Sequence, residues 1–251
     1  MEFWREFNGI RAIWLREFIR FKRQRSRILS SVISPLLWLF IFGSGFGATA
    51  GFGASSYQAF IFPGILGITI LFTSIFFGVS IIWDRQFGFL KEILVAPLSR
   101  ISIFLGKALG GTTTSMLQGS LILLIGVLIG INITPITFLA VLLLMFISAL
   151  TIVSIGLIIG SSMESFEGFN LIMTFINMPM FFLSGALFPI KNLPVFLQPL
   201  SLINPMTYAV DAFRAVLEGI SEFGLFADVV AMLSFCLLFL GIGAYVFTRR
   251  K

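Results

Sequence analysis

WDRQFGFLKEILVAPLSR, residues 83–100, is the stretch on which the fold turns. Asp84, Arg85, Lys91, Glu92 and Arg100 would each be costly among lipid tails. Yet Phe87, Phe89, Leu90, Ile93, Leu94 and Val95 interleave with them, so a helix here sets an apolar stripe beside a charged one and stops at Pro97. Such a helix lies on a surface. Strongly apolar runs flank it on both sides, which predicts an amphipathic segment held at a membrane face between two spans, open to a partner.

Composition agrees with a membrane setting. The chain has 251 residues, 58% hydrophobic and 11% charged, with a mean hydropathy of +1.05, outside the range of soluble domains. A net charge of +6 raises the question of nucleic acid, but the placement of the basic residues explains it better. The one cysteine, Cys236, excludes an internal disulfide.

Outward from residues 83–100, about 20 apolar residues make a span. Six are expected, at about 28–46, 60–82, 103–131, 136–162, 171–187 and 226–247. The fold class is thus all-α, a six-helix integral membrane domain over 28–251. The third span begins weakly at Lys107, which can snorkel to the interface. Residues 1–27 read as a retained amphipathic helix in the interface plane: Phe3, Phe7, Ile10, Trp14, Phe18 and Phe21 recur at steps of three and four, with arginines mostly filling the rest. The basic part is too long and too aromatic for a secretory signal. Between the fifth and sixth spans, residues 188–225 contain Pro189, Pro194, Pro199 and Pro205, so short helices folded against the outer leaflet are expected. One of them starts at Asn204–Pro205, with Asp211 and Arg214 one turn apart and able to pair.

Lysines and arginines orient the chain. Eight fall in residues 1–27, four between Arg85 and Lys107 and three at 249–251, which leaves Lys191 and Arg214 for the other side. Both termini and residues 85–100 are therefore expected in the cytoplasm. The Gly106/Gly110, Gly126/Gly130 and Gly156/Gly160 pairs would allow close helix approach, and a dimer face is one use for them.

Chemistry is sparse. The only Gly-Lys pair, Gly106-Lys107, lacks the rest of a phosphate-binding loop. There is no histidine, and the spans are expected to carry no acid, so neither metal-assisted catalysis nor ion-coupled carriage is favoured. Energy for transport must come from elsewhere.

FIFPGIL at 60–66, EILVAPLSR at 92–100, FFLSGALFPIKNLP at 181–194 and LINPMTYAVDAFR at 202–214 stand in the order and spacing of the type-2 ABC exporter permeases, which the chain resembles over nearly its whole length. Asp84-Arg85-Gln86 departs from the Glu-Arg-like start of many relatives. The resemblance implies the membrane subunit of an exporter for drug-like, lipid-linked glycan or lipid cargo, without ATPase activity of its own. It implies a homodimer served by two copies of a separate P-loop ATPase that holds ATP and magnesium, in a prokaryotic inner membrane, with lipid but no nucleic acid as partner. No cofactor is expected on this chain. Residues 85–100 become the coupling helix, with Phe87, Phe89, Leu90 and Leu94 as apolar anchors, Glu92 and Arg100 as charged contacts and Pro97 as the stop. Ser184, Gly185, Phe188, Pro189, Asn204, Pro205 and Tyr208 become the outer gate. The alternative is a membrane scaffold that recruits an ATPase without forming a path.

Overall fold

The computed structural model describes residues 2–24, 33–41, 54–88 and 98–249, and all regular structure among them is helical. In chain order these are α1 (Glu2–Arg23), α2 (33–41), α3 (Ala54–Ile75), a 3-10 turn (Phe76–Gly78), α4 (Val79–Gln86), α5 (Arg100–Leu128), α6 (Pro135–Ser162), α7 (Phe166–Phe182), a second 3-10 turn (Ile190–Asn192), α8 (Gln198–Ile203), α9 (Pro205–Glu218) and α10 (Leu225–Arg249).

Four described helical stretches are long and apolar enough to cross a membrane: Ala59–Gln86, Arg100–Leu128, Pro135–Ser162 and Leu225–Arg249. They correspond to the expected second, third, fourth and sixth spans. The expected fifth falls on α7, whose 17 residues extend about 25 Å. The expected first contains α2, and its flanks lie outside the described residues.

Local chemistry sets the boundaries. Ser99 starts α5, Thr134 starts α6 and Ser165 starts α7, each by accepting a backbone N–H with its side chain. Pro135 sits in the first turn of α6, where its missing N–H costs nothing. Gly219, at φ +72°, ends α9 in the left-handed conformation that favours glycine. At the other end of the second span, α4 carries the helix through Trp83, Asp84 and Arg85 to Gln86, beyond the expected end near 82. Arg85 is accommodated because its guanidinium donates to the carbonyls of Ser161 (3.1 Å) and Met163 (3.0 Å) at the close of α6.

The core is built around α3. Phe62, Ile65, Leu66 and Ile70 are buried against Ile122 of α5, Met145 and Ile152 of α6 and Phe213 of α9. Three glycine contacts make this packing close. A Cβ on Gly64 would strike the Ala186 carbonyl, one on Gly126 the Phe62 ring, and one on Gly160 the Gly78 carbonyl. Gly156 likewise meets Ile75 O, while Gly106 and Gly110 face Ile13 and Glu17 of α1. Apart from Gly130, which sits in an open turn at φ +95°, the paired glycines serve helix contacts within one chain, not the dimer face considered for them.

The molecule has two distinct ends. At one, α1 lies along the first half of α5, where Trp14 Nε1 donates to Thr113 Oγ1 at 2.9 Å. The last turns of α10 join them there, with Phe247 against the Phe104 ring at 5.1 Å. Residues 183–224 gather at the opposite end, held to α3 through the Gly64–Ala186 and Gly67–Val210 contacts.

Candidate functional site

At the arginine-rich end, three elements converge on one cluster of charges. Lys107 of α5 is fully buried, and its ammonium donates to Asp84 Oδ2 of α4 at 2.5 Å and to Glu17 Oε1 of α1 at 3.3 Å. It does not snorkel. Its side chain has no exposure to water, and both counter-charges come to it. Asp84 also accepts from Arg16 at 2.8 Å and from Arg20 at 3.5 Å. Arg16 lies 3.8 Å from Glu17. Two carboxylates thus hold three cations, with the carboxylates and the lysine dry and the two arginines about a third exposed.

Such a cluster is weak as a source of stability, because desolvation of the ions opposes their attraction. Its effect is on register: α1 can sit on α4 and α5 in one position only without stranding a buried charge. Arg20 adds a cation–π contact over Trp83 at 5.1 Å, and Trp83 stacks on Phe166 of α7.

A second clasp lies near the start of α1. Glu6 accepts from the Ser99 backbone N–H at 3.0 Å and from its hydroxyl at 2.9 Å. Hydrogen bonds from Ser102 and Ser99 hold the Glu6 carboxyl below the usual carboxylate range. Gly9 faces Leu98 beside it, and a Cβ there would strike the leucine side chain. Asp84 and Ser99, at the two ends of the stretch 84–99, are therefore both held to α1. Periodicity is enough to read α1, whereas the clasp joins distant residues, and its one signal in the sequence is two acids and a lysine flanking an amphipathic stretch.

Two of the expected coupling residues, Phe87 and Arg100, are among the described residues. Phe87 follows α4 and is 72% exposed, the orientation an apolar anchor needs. Arg100 is half-buried in the first turn of α5. Phe89, Leu90, Glu92, Leu94 and Pro97 lie outside the described residues.

At the opposite end, the structure brings several of the expected gate residues together. Asn204 accepts from Met206 N and donates to the Met180 carbonyl at 2.8 Å, tying the start of α9 to α7. Ser184 is buried and donates to Phe181 O. Gly185, at φ +74°, turns the chain so that its carbonyl accepts from Arg214 at 2.9 Å. Phe188 and Pro189 are half-buried, and Pro205 opens α9. Tyr208 donates to Leu202 O and packs on Phe223 and Phe235; burial pushes its hydroxyl pKa up.

The expected Asp211–Arg214 pair does not form. Arg214 instead lies over the Phe60 ring at 4.4 Å, and burial lowers its pKa. Asp211 accepts from Ser221, Glu222 and Phe223 in the loop after α9. The expectation of acid-free spans also fails, since Asp228 stands in the first turn of α10.

Between the two ends, a cavity of about 550 Å³ is lined by Trp38, Phe72, Phe76 and Phe181, with Ser34, Thr69, Thr73 and Gln118 as polar members. Gln118 is buried and its Oε1 has no hydrogen-bond partner. The walls are aromatic, with one amide acceptor available.

Comparison with known proteins places this arrangement in context. The sequence profile described as ABC-2 type transporter matches residues 8–217. A putative transport permease, ycf38, of Cyanophora paradoxa is 35% identical over 205 residues, covering 79% of this chain and 70% of that protein. The inner membrane transport permease YadH of Escherichia coli is 28% identical over 239 residues, 92% of this chain and 91% of its own. Nodulation protein J of Rhizobium leguminosarum is 26% identical over 212 residues, 83% and 82% of the two chains.

Proposed function

Because the chain belongs to the ABC-2 type transporter family, we propose that this transport permease is the membrane subunit of an ATP-driven exporter. In this reading six spans lie in a prokaryotic inner membrane with both termini in the cytoplasm. Two copies form the path, and two copies of a separate P-loop ATPase supply ATP and magnesium. Residues 85–100 dock on the ATPase, and the segment from 188 to 225 gates the outer side.

The observation that carries the reading is the double clasp. A segment gripped at Asp84 and Ser99 by one helix cannot move alone. Displacement of the residues at its two ends, Asp84 and Ser99, shifts α1, and through Lys107 it shifts the second and third spans together. ATPase movement thus has a rigid route into the bundle. The aromatic cavity with its lone amide acceptor supports an amphipathic cargo over a small ion. The wide match to transport permeases favours this reading over a scaffold that recruits an ATPase but forms no path.

The test is reconstitution in lipid with the ATPase encoded nearest to this gene. Wild type should co-purify with it and alter its ATP hydrolysis. Glu92→Lys and Arg100→Glu should each abolish assembly; intact binding by both removes the docking assignment.

A further inference from the structure

Asp228, at the end of the bundle away from α1, is fully buried, and neither of its carboxylate oxygens receives a hydrogen bond. Its polar neighbour is another acid, Asp211 of α9, within hydrogen-bonding reach. Asp211 is already a well-served anion. It accepts from the Ser221 hydroxyl at 2.8 Å, from Glu222 N at 2.9 and 3.0 Å and from Phe223 N at 3.1 Å.

The other charged and titratable groups of α9 and the loop after it turn elsewhere. Tyr208 faces Asp228 from α9, but its hydroxyl donates to Leu202 O. Arg214 reaches Gly185 O and the Phe60 ring. Glu218 lies beside Arg214, and Glu222 offers Asp211 its backbone N–H. α6, which packs along α10, has no ionisable residue, and those of α5, Arg100 and Lys107, sit at the far end. No cation among the described residues is hydrogen-bonded or ion-paired to both acids. Two bare carboxylates facing each other in a dry site repel strongly, and one shared proton removes the conflict.

We propose that Asp228 and Asp211 form a proton-binding site, in which Asp228 is a neutral carboxylic acid donating its proton to the Asp211 carboxylate. The shared proton latches the first turn of α10 to α9. Loss of that proton to water at the exposed loop between them leaves two facing anions and frees the latch. The consequence for export rests on the exporter reading, whereas the acid pair itself does not.

Infrared difference spectroscopy of the purified protein in lipid tests the pair without cargo or ATPase, so its failure is separable from failure of the exporter reading. Glu218→Gln serves as the parent, because Glu218 would add a signal of its own. The parent at neutral pH should show the carbonyl stretch of a protonated carboxyl, shifted in heavy water, and Asp228→Asn should abolish it. Absence of that band in the parent, or its persistence in Asp228→Asn, overturns the proposal. A stability profile adds a second readout. The Asn amide can donate to Asp211 as the acid does, so Asp228→Asn should hold its thermal midpoint as pH rises from the usual carboxylate range through neutrality, where the parent's falls. An Asn variant that tracks the parent across the pH range also overturns it.

Discussion

Lys107 is a fully buried cation in a transmembrane helix, and its cost is offset only by the positions of Asp84 and Glu17. Asp84→Asn keeps the shape and removes one of the two anions, which leaves three cations facing Glu17 alone. Breaking a buried pair in this way costs about 3–5 kcal/mol, so the variant should unfold at distinctly lower temperature in detergent. In complex with the ATPase it should also show weakened coupling of hydrolysis to transport, because α1 loses its register. At the other end, burial pushes Glu218 up to about 7 against a carboxylate's usual 4.5. The folded chain then holds more protons than the unfolded one between those values. Stability from this residue is therefore complete at the acid side of the window and is lost as pH rises through it. Glu218→Gln should flatten that part of the thermal-midpoint profile, and an unchanged profile would assign the slope to another group.

Among the elements, the second span is the one that bends the rules of a plain helix. Its α3 and α4 segments are joined by the tighter 3-10 turn at Phe76–Gly78, where the backbone of Gly78 meets Gly156 and Gly160 of α6. A tightened turn held against a neighbour acts as a fulcrum between the core half of the span and the half that bears Asp84. Gly160→Ala places a methyl against the Gly78 carbonyl and should destabilise by about 1–3 kcal/mol, the usual cost of overpacking. Gly241→Ala meets open space and should be nearly neutral, so equal effects of the two would refute the contact. Sequence could not have paired these glycines. Four-residue spacing shows that a helix face is flat, whereas the partner that uses the face is set by tertiary packing.

At the scale of the whole molecule, four of the six expected spans and the N-terminal helix were legible because hydrophobic length and periodicity are local signals. The ionic clasp and the outer acid pair were not, since each joins residues far apart in the chain: 17, 84 and 107 in one case, 211 and 228 in the other. Asp228 does not stand out in the sequence because one acid barely alters the hydropathy of a 25-residue span. Orientation is open to direct measurement. A cysteine at Ser56 should react with an impermeant thiol reagent from outside and one at Ser99 should not, with little background from Cys236, which is buried. The reverse pattern would invert the molecule.

The clasp also bears on how the chain is made. Synthesis runs from the N-terminus, so Glu17 and Asp84 have both emerged before Lys107 leaves the ribosome. A span bearing an unpaired lysine enters lipid at a cost of a few kcal/mol, but here its two counter-ions are already waiting at the membrane surface. The order of residues along the chain thus spares the third span a stage at which its charge would have to wait for a partner.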